Sequence, residues 1–230
     1  LNKFKTVGIV VAVEREAFLK VFGTDGKHIQ INGFDTYLYR INDVDVVMIL
    51  SGAGEILAAG ATQALICAYS PDVVINAGIC GGLNGEMKLG DLCLVDSVVH
   101  YGYDITAMGY AKGVYLGCDS AYIKTDTKLL KEEFRCGIKS VNCASADRLV
   151  TGKEERIKLG NEFNCSICEM ESAGVIITCK NNEIPCILLK AVSDSLEDGV
   201  EDLLETDWAK KSSDIVAQAT LTAVKDLIQL

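Results

Sequence analysis

The sequence predicts an α/β fold: a single three-layer domain over residues 1–230, with a central, mixed, mostly parallel sheet flanked by helices. Three observations lead there. Near-continuous apolar runs of strand length begin at Thr6, Val73 and Cys186, as strands buried on both faces require. Segments at helical spacing alternate with them in chain order. The composition, 49% hydrophobic but only 7% aromatic over 230 residues, supplies a core of Val, Ile, Leu and Ala sized for one domain.

In chain order, Thr6 to Val13 is the first buried strand, followed at its end by Glu14-Arg15-Glu16 and an apolar helical spacing through Ala17, Phe18, Leu19 and Val21. His28 to Leu50 divides into three β segments, with Asn32-Gly33 and Asn42-Asp43 supplying the turns. They read as antiparallel additions to the sheet. Ser51-Gly52-Ala53-Gly54 then opens a helix from about Glu55 to Tyr69. Such a turn can cradle a phosphate through backbone donors, but this one lacks the Lys of a P-loop and the full G-x-G-x-x-G pattern.

A strand from Val73 runs into Gly78-Ile79-Cys80-Gly81-Gly82, where a ligand can lie against bare backbone. Asp91 to His100 is another strand. The Tyr- and Gly-rich stretch to Cys118, containing Asp104, Thr106 and Met108, is either a pocket edge or a subunit contact. A short amphipathic helix is predicted from Asp126 to Phe134 and a strand from Ile138 to Ala144. Thr151 and Glu154 have capping-box spacing for the next helix. The closing helix, about Asp207 to Ile228, presents Trp208, Ile215, Val216, Ala219, Ala223 and Leu227 on one stripe.

Charge and cysteine usage exclude several classes. A net charge of −10 argues against a sequence-independent grip on nucleic acid, which needs a basic face. No apolar stretch reaches the roughly 18 residues that span a bilayer. Glu14 and Glu16 interrupt the opening apolar run, so no secretory leader is expected and the chain reads as soluble and cytoplasmic. The ten cysteines are scattered through apolar runs, which predicts buried free thiols. Cys165 and Cys168 have knuckle spacing, but there is no second pair, and the chain holds only His28 and His100. No metal site is predicted.

The stretch from Cys168 to Asp194 organises the rest. Glu169 and Glu171 stand one residue apart where an apolar strand gives way to a helix beginning at about Ser172. Period-2 alternation puts both on one face if the backbone is still extended. A second apolar run, Cys186 to Val192, stops at Ser193-Asp194. In open α/β sheets ligands sit beyond the carboxyl ends of parallel strands, so these carboxylates, with Glu16 at the first strand's end, are candidates for one pocket. The alternative is that Glu169 and Glu171 complement a helix dipole and Asp194 is an exposed cap.

These segments together resemble the purine nucleoside phosphorylase and nucleosidase superfamily, and within it the methylthioadenosine/S-adenosylhomocysteine nucleosidases. The resemblance rests on six motifs in order: Gly8 to Glu16, Ser51 to Gly54, Asn76 to Gly82 with Gly90-Asp91, Asp104 to Tyr110, Glu169-Met170-Glu171, and Ala191 to Asp194. It implies hydrolysis of a purine nucleoside with water as co-substrate, no metal or organic cofactor, and a homodimer. Asp194 would be the general acid at the purine, oriented by Ser193, and Glu16 the general base that activates water. Glu171 would bind the ribose hydroxyls, with Glu169 and Met170 beside it. Leu149 and Val150 would line the base pocket, and Ile79, Cys80, Gly81, Ala53 and Met108 the sugar and 5′ side.

Carboxylates suit this chemistry, because N-glycosidic cleavage passes through a cationic, oxocarbenium-like ribose. Phosphorylases of the superfamily carry an Arg before the glycine turn, where this chain has Asn76, and Glu-Arg-Glu would repel phosphate; water is the favoured acceptor. The chain departs from the nucleosidases at Lys190, kept as a substrate-binding residue where they carry Arg, at Leu149, where they carry an aromatic, and after Asp194, where the segment is short and offers no Phe. Futalosine, adenosine or inosine thus stand as alternative substrates, and a phosphorylase or a non-catalytic nucleoside-binding protein as alternative classes.

Overall fold

The computed structural model describes residues 4–196 and 207–228; the short segment after Asp194 lies largely outside them. At the centre, β4 (Val44–Leu50), β1 (Thr6–Val11), β5 (Val73–Gly82) and β10 (Cys186–Asp194) run parallel in that spatial order. Beyond β4 the sheet continues antiparallel through β3 (Phe34–Ile41) and β2 (Lys27–Ile31). The cause is local. Asn32, Gly33, Asn42 and Asp43 all take positive φ, giving two-residue turns whose twist matches the strands they join.

Past β10 the sheet curls back on itself, a closure that hydrophobic periodicity does not encode. β10 pairs antiparallel with β6 (Leu92–His100), β6 parallel with β8 (Lys139–Ser145), and β8 with the short β9 (Ile167–Glu169). β9 then pairs with the end of β5, which itself pairs with β10. β7 (Tyr122–Lys124) adds to β6.

Alternation along the parallel strands divides their side chains between two helical layers. Val7, Ile9, Ile75 and Leu189 share a core with Phe18 of α1 (Arg15–Phe22) and with Val216 and Leu227 of α6 (Asp207–Ile228). Val10, Val74, Leu188 and Val192 join Ala61 and Leu65 of α2 (Glu55–Tyr69) and Ala173 and Ile176 of α5 (Ser172–Asn181). Leu159 and Phe163 of α4 (Lys153–Phe163) form a third cluster with Ala144 and Val150. Among the described residues no helix is long and apolar enough to cross a membrane.

Four local expectations change. The segment from Asp126 to Phe134 is a 3-10 turn (Thr127–Leu129) and a one-turn helix, α3 (Glu132–Arg135), with Leu130 buried between them. Gly152, not Thr151, precedes α4, and no side chain caps it. Trp208 and Ile215 sit half-exposed beside Gly90, while the buried face of α6 runs through Ala209, Ser212, Val216, Thr220, Ala223 and Leu227. All ten cysteines are free thiols, but Cys67, Cys118 and Cys136 are exposed.

α5 crosses α2 at Gly174, where a Cβ would fall 2.3 Å from the Glu55 carbonyl oxygen. Gly174→Ala is therefore expected to destabilise the protein by roughly 2–3 kcal/mol, read as a lower urea midpoint at unchanged slope. Gly60→Ala on α2 would meet only the Phe34 ring at 3.6 Å and should be neutral or stabilising by up to about 1 kcal/mol. Similar effects at the two sites would remove the steric explanation.

Candidate active site

The ends of β1, β4, β5 and β10 open onto one cavity of about 430 Å³, as carboxyl ends of parallel strands do. β1 is followed by Glu14, β4 by the turn carrying Ala53, and β5 contributes Ile79, Cys80 and Gly81. β10 ends in Ser193 and Asp194, and the β9–α5 junction supplies Glu169, Met170 and Glu171. Leu149 and Val150, after β8, close another wall; Val150 is buried and Leu149 stands at the rim, 53% exposed.

Each carboxylate is held differently. Glu14 is buried; its Oε1 accepts the Ile79 N–H at 2.7 Å and its Oε2 the Val13 N–H at 3.1 Å. It packs against Gly78, where a Cβ would lie 2.8 Å from Oε1. Asp194 reaches the cavity because the β10–β5 register shifts after Val192, setting it opposite Gly81. There its Oδ1 accepts the Ser193 hydroxyl at 2.9 Å and its Oδ2 an N–H of Arg156. Gly78 and Gly81 are three residues apart, or about 10 Å of extended chain. The two acids thus stand at opposite ends of the stretch from Gly78 to Gly81.

Glu169 and Glu171 both line the cavity, yet they do different work. Glu169 accepts the backbone N–H groups of Glu171 and Ser172, so it caps α5 as the dipole alternative anticipates. It also pairs with Lys190 Nζ at 2.8 Å. Glu171 Oε1 accepts only the Gly54 N–H among the hydrogen bonds described, at 2.8 Å. Asp147 accepts the next N–H, that of Glu55, at 2.5 Å. The N–H groups of Gly54 and Glu55, where the glycine turn meets α2, are therefore committed to carboxylates.

Three predicted site residues lie elsewhere. Glu16 is exposed in the first turn of α1 and does not line the cavity, because the strand ends at Val11 and the chain turns into the helix at Arg15; Glu14 occupies the place expected of it. Met108 is 63% exposed in a 3-10 turn (Thr106–Met108) outside the cavity. Lys190 is buried behind the wall and touches the site only through Glu169. Arg156 was not anticipated. Its spacing from Leu159 and Phe163, i, i+3 and i+7 on the buried face of α4, is the signal that marks it. Asn76 is structural: its amide donates to the Val10 carbonyl and accepts from Ser172 Oγ.

The electrostatics separate the two neighbouring glutamates. Burial opposes ionisation of Glu169, but Lys190 and the hydrogen bonds around it outweigh that and hold its pKa below the ordinary value. Lys190 is in turn held above its ordinary range by Glu169 and Glu171, against the effect of burial. Glu171 has no such partner; burial, with the Glu169 charge beside it, pushes it up to about 7. The cavity thiols are neutral, since burial pushes Cys168 up to about 12 and Cys80 well above its ordinary value.

A family model described as the phosphorylase superfamily matches residues 6–229. A 5′-methylthioadenosine/S-adenosylhomocysteine nucleosidase from Hydrogenovibrio crunogenus is 34% identical over 197 residues, covering 82% of this chain and 84% of that protein. The crystal structure of the nucleosidase of the same name from Neisseria meningitidis, in complex with methylthio-immucillin-A, superposes with a TM-score of 0.86 at 30% identity, covering 96% of this chain and 99% of that one. The native futalosine hydrolase of Helicobacter pylori superposes with a TM-score of 0.88 at 25% identity, covering 96% and 97%.

The Glu171 environment has a measurable consequence. Below its ordinary value of 4.5 the carboxyl is neutral in both the folded and unfolded chain; between 4.5 and about 7 only the folded chain keeps the proton. Stability supplied by the neutral form is thus lost as pH rises through about 7. Glu171→Gln keeps an acceptor for Gly54 and removes the charge. It should stabilise the protein more at pH 8 than at pH 5, by on the order of 2 kcal/mol in denaturant unfolding. A pH-independent difference would mean that Glu171 titrates normally.

Proposed function

Because the chain belongs to the phosphorylase superfamily, we propose that this cavity hydrolyses the N-glycosidic bond of purine nucleosides, with 5′-methylthioadenosine and S-adenosylhomocysteine as substrates and adenine as a product. The observation that carries water over phosphate is the commitment of backbone donors. The Gly54 and Glu55 N–H groups, which an anion would need, already serve Glu171 and Asp147. Glu14 occupies Ile79 N–H in the same way. Of the two arginines that line the cavity, Arg156 is paired with Asp194 and Arg148 with Glu155. A phosphate dianion entering there meets carboxylates and few free donors.

The chemistry follows from the placement. The purine lies between Val150, Leu149 and Asp194; Asp194 gives a proton to N7 as the glycosidic bond breaks, and the bonding electron pair leaves with the base. The ribose becomes oxocarbenium-like, and its charge is met by Glu171 at the hydroxyls and by Glu14 below. Glu14 takes a proton from water, whose oxygen bonds to the anomeric carbon. Met170 packs on the sugar, and Ile79, Cys80, Gly81 and Ala53 form the floor. Ser193 orients Asp194, while Lys190 and Glu169 fix the backbone that carries Glu171.

Free purine release should be measured from methylthioadenosine, S-adenosylhomocysteine, adenosine and inosine, each with and without phosphate. Phosphate-independent release of adenine from the thionucleosides is expected; strict phosphate dependence would make the chain a phosphorylase. Glu14→Gln should lower kcat by about 10²–10⁴-fold, as loss of a general base does, with Glu16→Gln within about twofold of the parent, as for a surface change. The reverse pattern would restore Glu16 as the base.

The assembly we assign is a homodimer. Ile56, Met108 and Leu116 are apolar and 79%, 63% and 62% exposed, and in a dimer Met108 would reach the partner's cavity. Light scattering at micromolar concentration should give about twice the chain mass. A monomer would leave Met108 with no part in the site.

A further inference from the structure

Arg156 is a cation buried beneath the base-binding wall, with a side chain only 2% exposed. Burying a guanidinium is costly unless it is paired and hydrogen-bonded. Here Nε donates to the Val150 carbonyl at 2.9 Å, one terminal nitrogen to the Ser195 carbonyl at 3.3 Å, and the other to Asp194 Oδ2. One planar group thus ties together the wall that faces the purine, the chain leaving β10, and the carboxylate expected to protonate the base. Space is cleared for it: a Cβ on Gly81 would fall 2.9 Å from Asp194 Oδ2 and 3.4 Å from the Arg156 terminal nitrogen. The ordinary reading of Arg156, in the run Lys153-Glu154-Glu155-Arg156, is a solvated helix charge, and its burial removes that reading.

We propose that Arg156 is a positioning residue for Asp194, setting the plane of its carboxyl against the purine; this rests on the nucleosidase reading above. Ser193 occupies one lone pair of Oδ1 and Arg156 one of Oδ2. A carboxylate offers about two acceptor sites per oxygen, so one site on each remains for the purine edge and the proton delivered to it. With Ser193 alone as partner, the carboxyl could turn about its bond to the chain. The fork geometry matters, because a Lys at this place supplies a charge but cannot bridge two carbonyls and a carboxylate. Misplacement of a reacting group by about 1 Å costs on the order of 10²-fold in rate, with little change in ground-state binding.

The test compares Arg156→Met, Arg156→Lys and Asp194→Asn in steady-state hydrolysis of methylthioadenosine, with thermal unfolding of each. Arg156→Met should lower kcat by about 10²-fold with KM within about threefold of the parent. Arg156→Lys should recover about tenfold of that loss, and guanidinium at tens of millimolar should restore part of the turnover of Arg156→Met but none of Asp194→Asn. Parent-like kcat in Arg156→Met with an inactive Asp194→Asn overturns the proposal alone. A fully active Asp194→Asn removes Asp194 as the acid and overturns this proposal with it, whereas a parent protein that releases no adenine from methylthioadenosine overturns the nucleosidase reading on which it rests. If Arg156→Met does not fold, Arg156→Lys decides: its kcat should lie about tenfold below the parent at unchanged KM, and a parent-like kcat or a loss confined to KM overturns the role.

Discussion

Four carboxylates, Glu14, Glu169, Glu171 and Asp194, are buried around one cavity, and their desolvation is the constraint on which the site depends. An uncompensated buried charge is too costly to keep. Glu14 is offset by two backbone donors, Glu169 by Lys190 and the start of α5, and Asp194 by Arg156 and Ser193. Each compensation needs its own piece of fold. A parallel β1–β5 pair brings Ile79 to Glu14, the register shift on β10 brings Asp194 to Gly81, and α4 must pack for Arg156 to arrive. The sheet closure through β6, β8 and β9 brings Glu169 within reach of Lys190.

Much of the fold was legible in the sequence for identifiable reasons. The hairpins followed from Asn-Gly and Asn-Asp, whose residues adopt positive φ. The start of α5 at Ser172 and the span of α2 followed from small apolar composition and sharp flanks, and the span of α6 from its amphipathic stripe. The ring closure did not, because β9 is three residues long and pairs antiparallel with the end of β5 through only Gly81 and Gly82. Nothing local distinguishes such a strand from a loop.

The site was legible to the same depth. Asp194 and Ser193, which end β10, open onto the cavity as the rule for parallel sheets requires, and Glu171 follows β9 into it. Glu16 lies outside this cavity because Glu14-Arg15-Glu16 offers two acids at one strand end, and only the backbone path decides which turns inward. β1 stops at Val11, so the nearer acid enters the cavity and the second rides outward on α1. Lys190 is set apart differently: it reads as substrate-binding because it stands where the nucleosidases carry Arg, but its hydrogen bond goes to Glu169 behind the wall. Arg156 was missed because a charge inside a polar helical run reads as solvated unless its apolar neighbours at i+3 and i+7 are weighed with it.

Lys190 also decides how charge is shared between the two glutamates. A planar, forked guanidinium could bridge both carboxylates, whereas an ammonium is a point charge. Lys190 makes its hydrogen bond to Glu169. Glu169 is thereby fixed as an anion and adds its repulsion to the burial that, as the larger cause, pushes the Glu171 carboxyl up to about 7. The site is therefore a set of tied charges with one that titrates near neutrality. On the proposed function, a ribose diol at Glu171 would donate its hydroxyl protons best to the carboxylate, so nucleoside binding would favour the ionised form and release a proton at pH below that range.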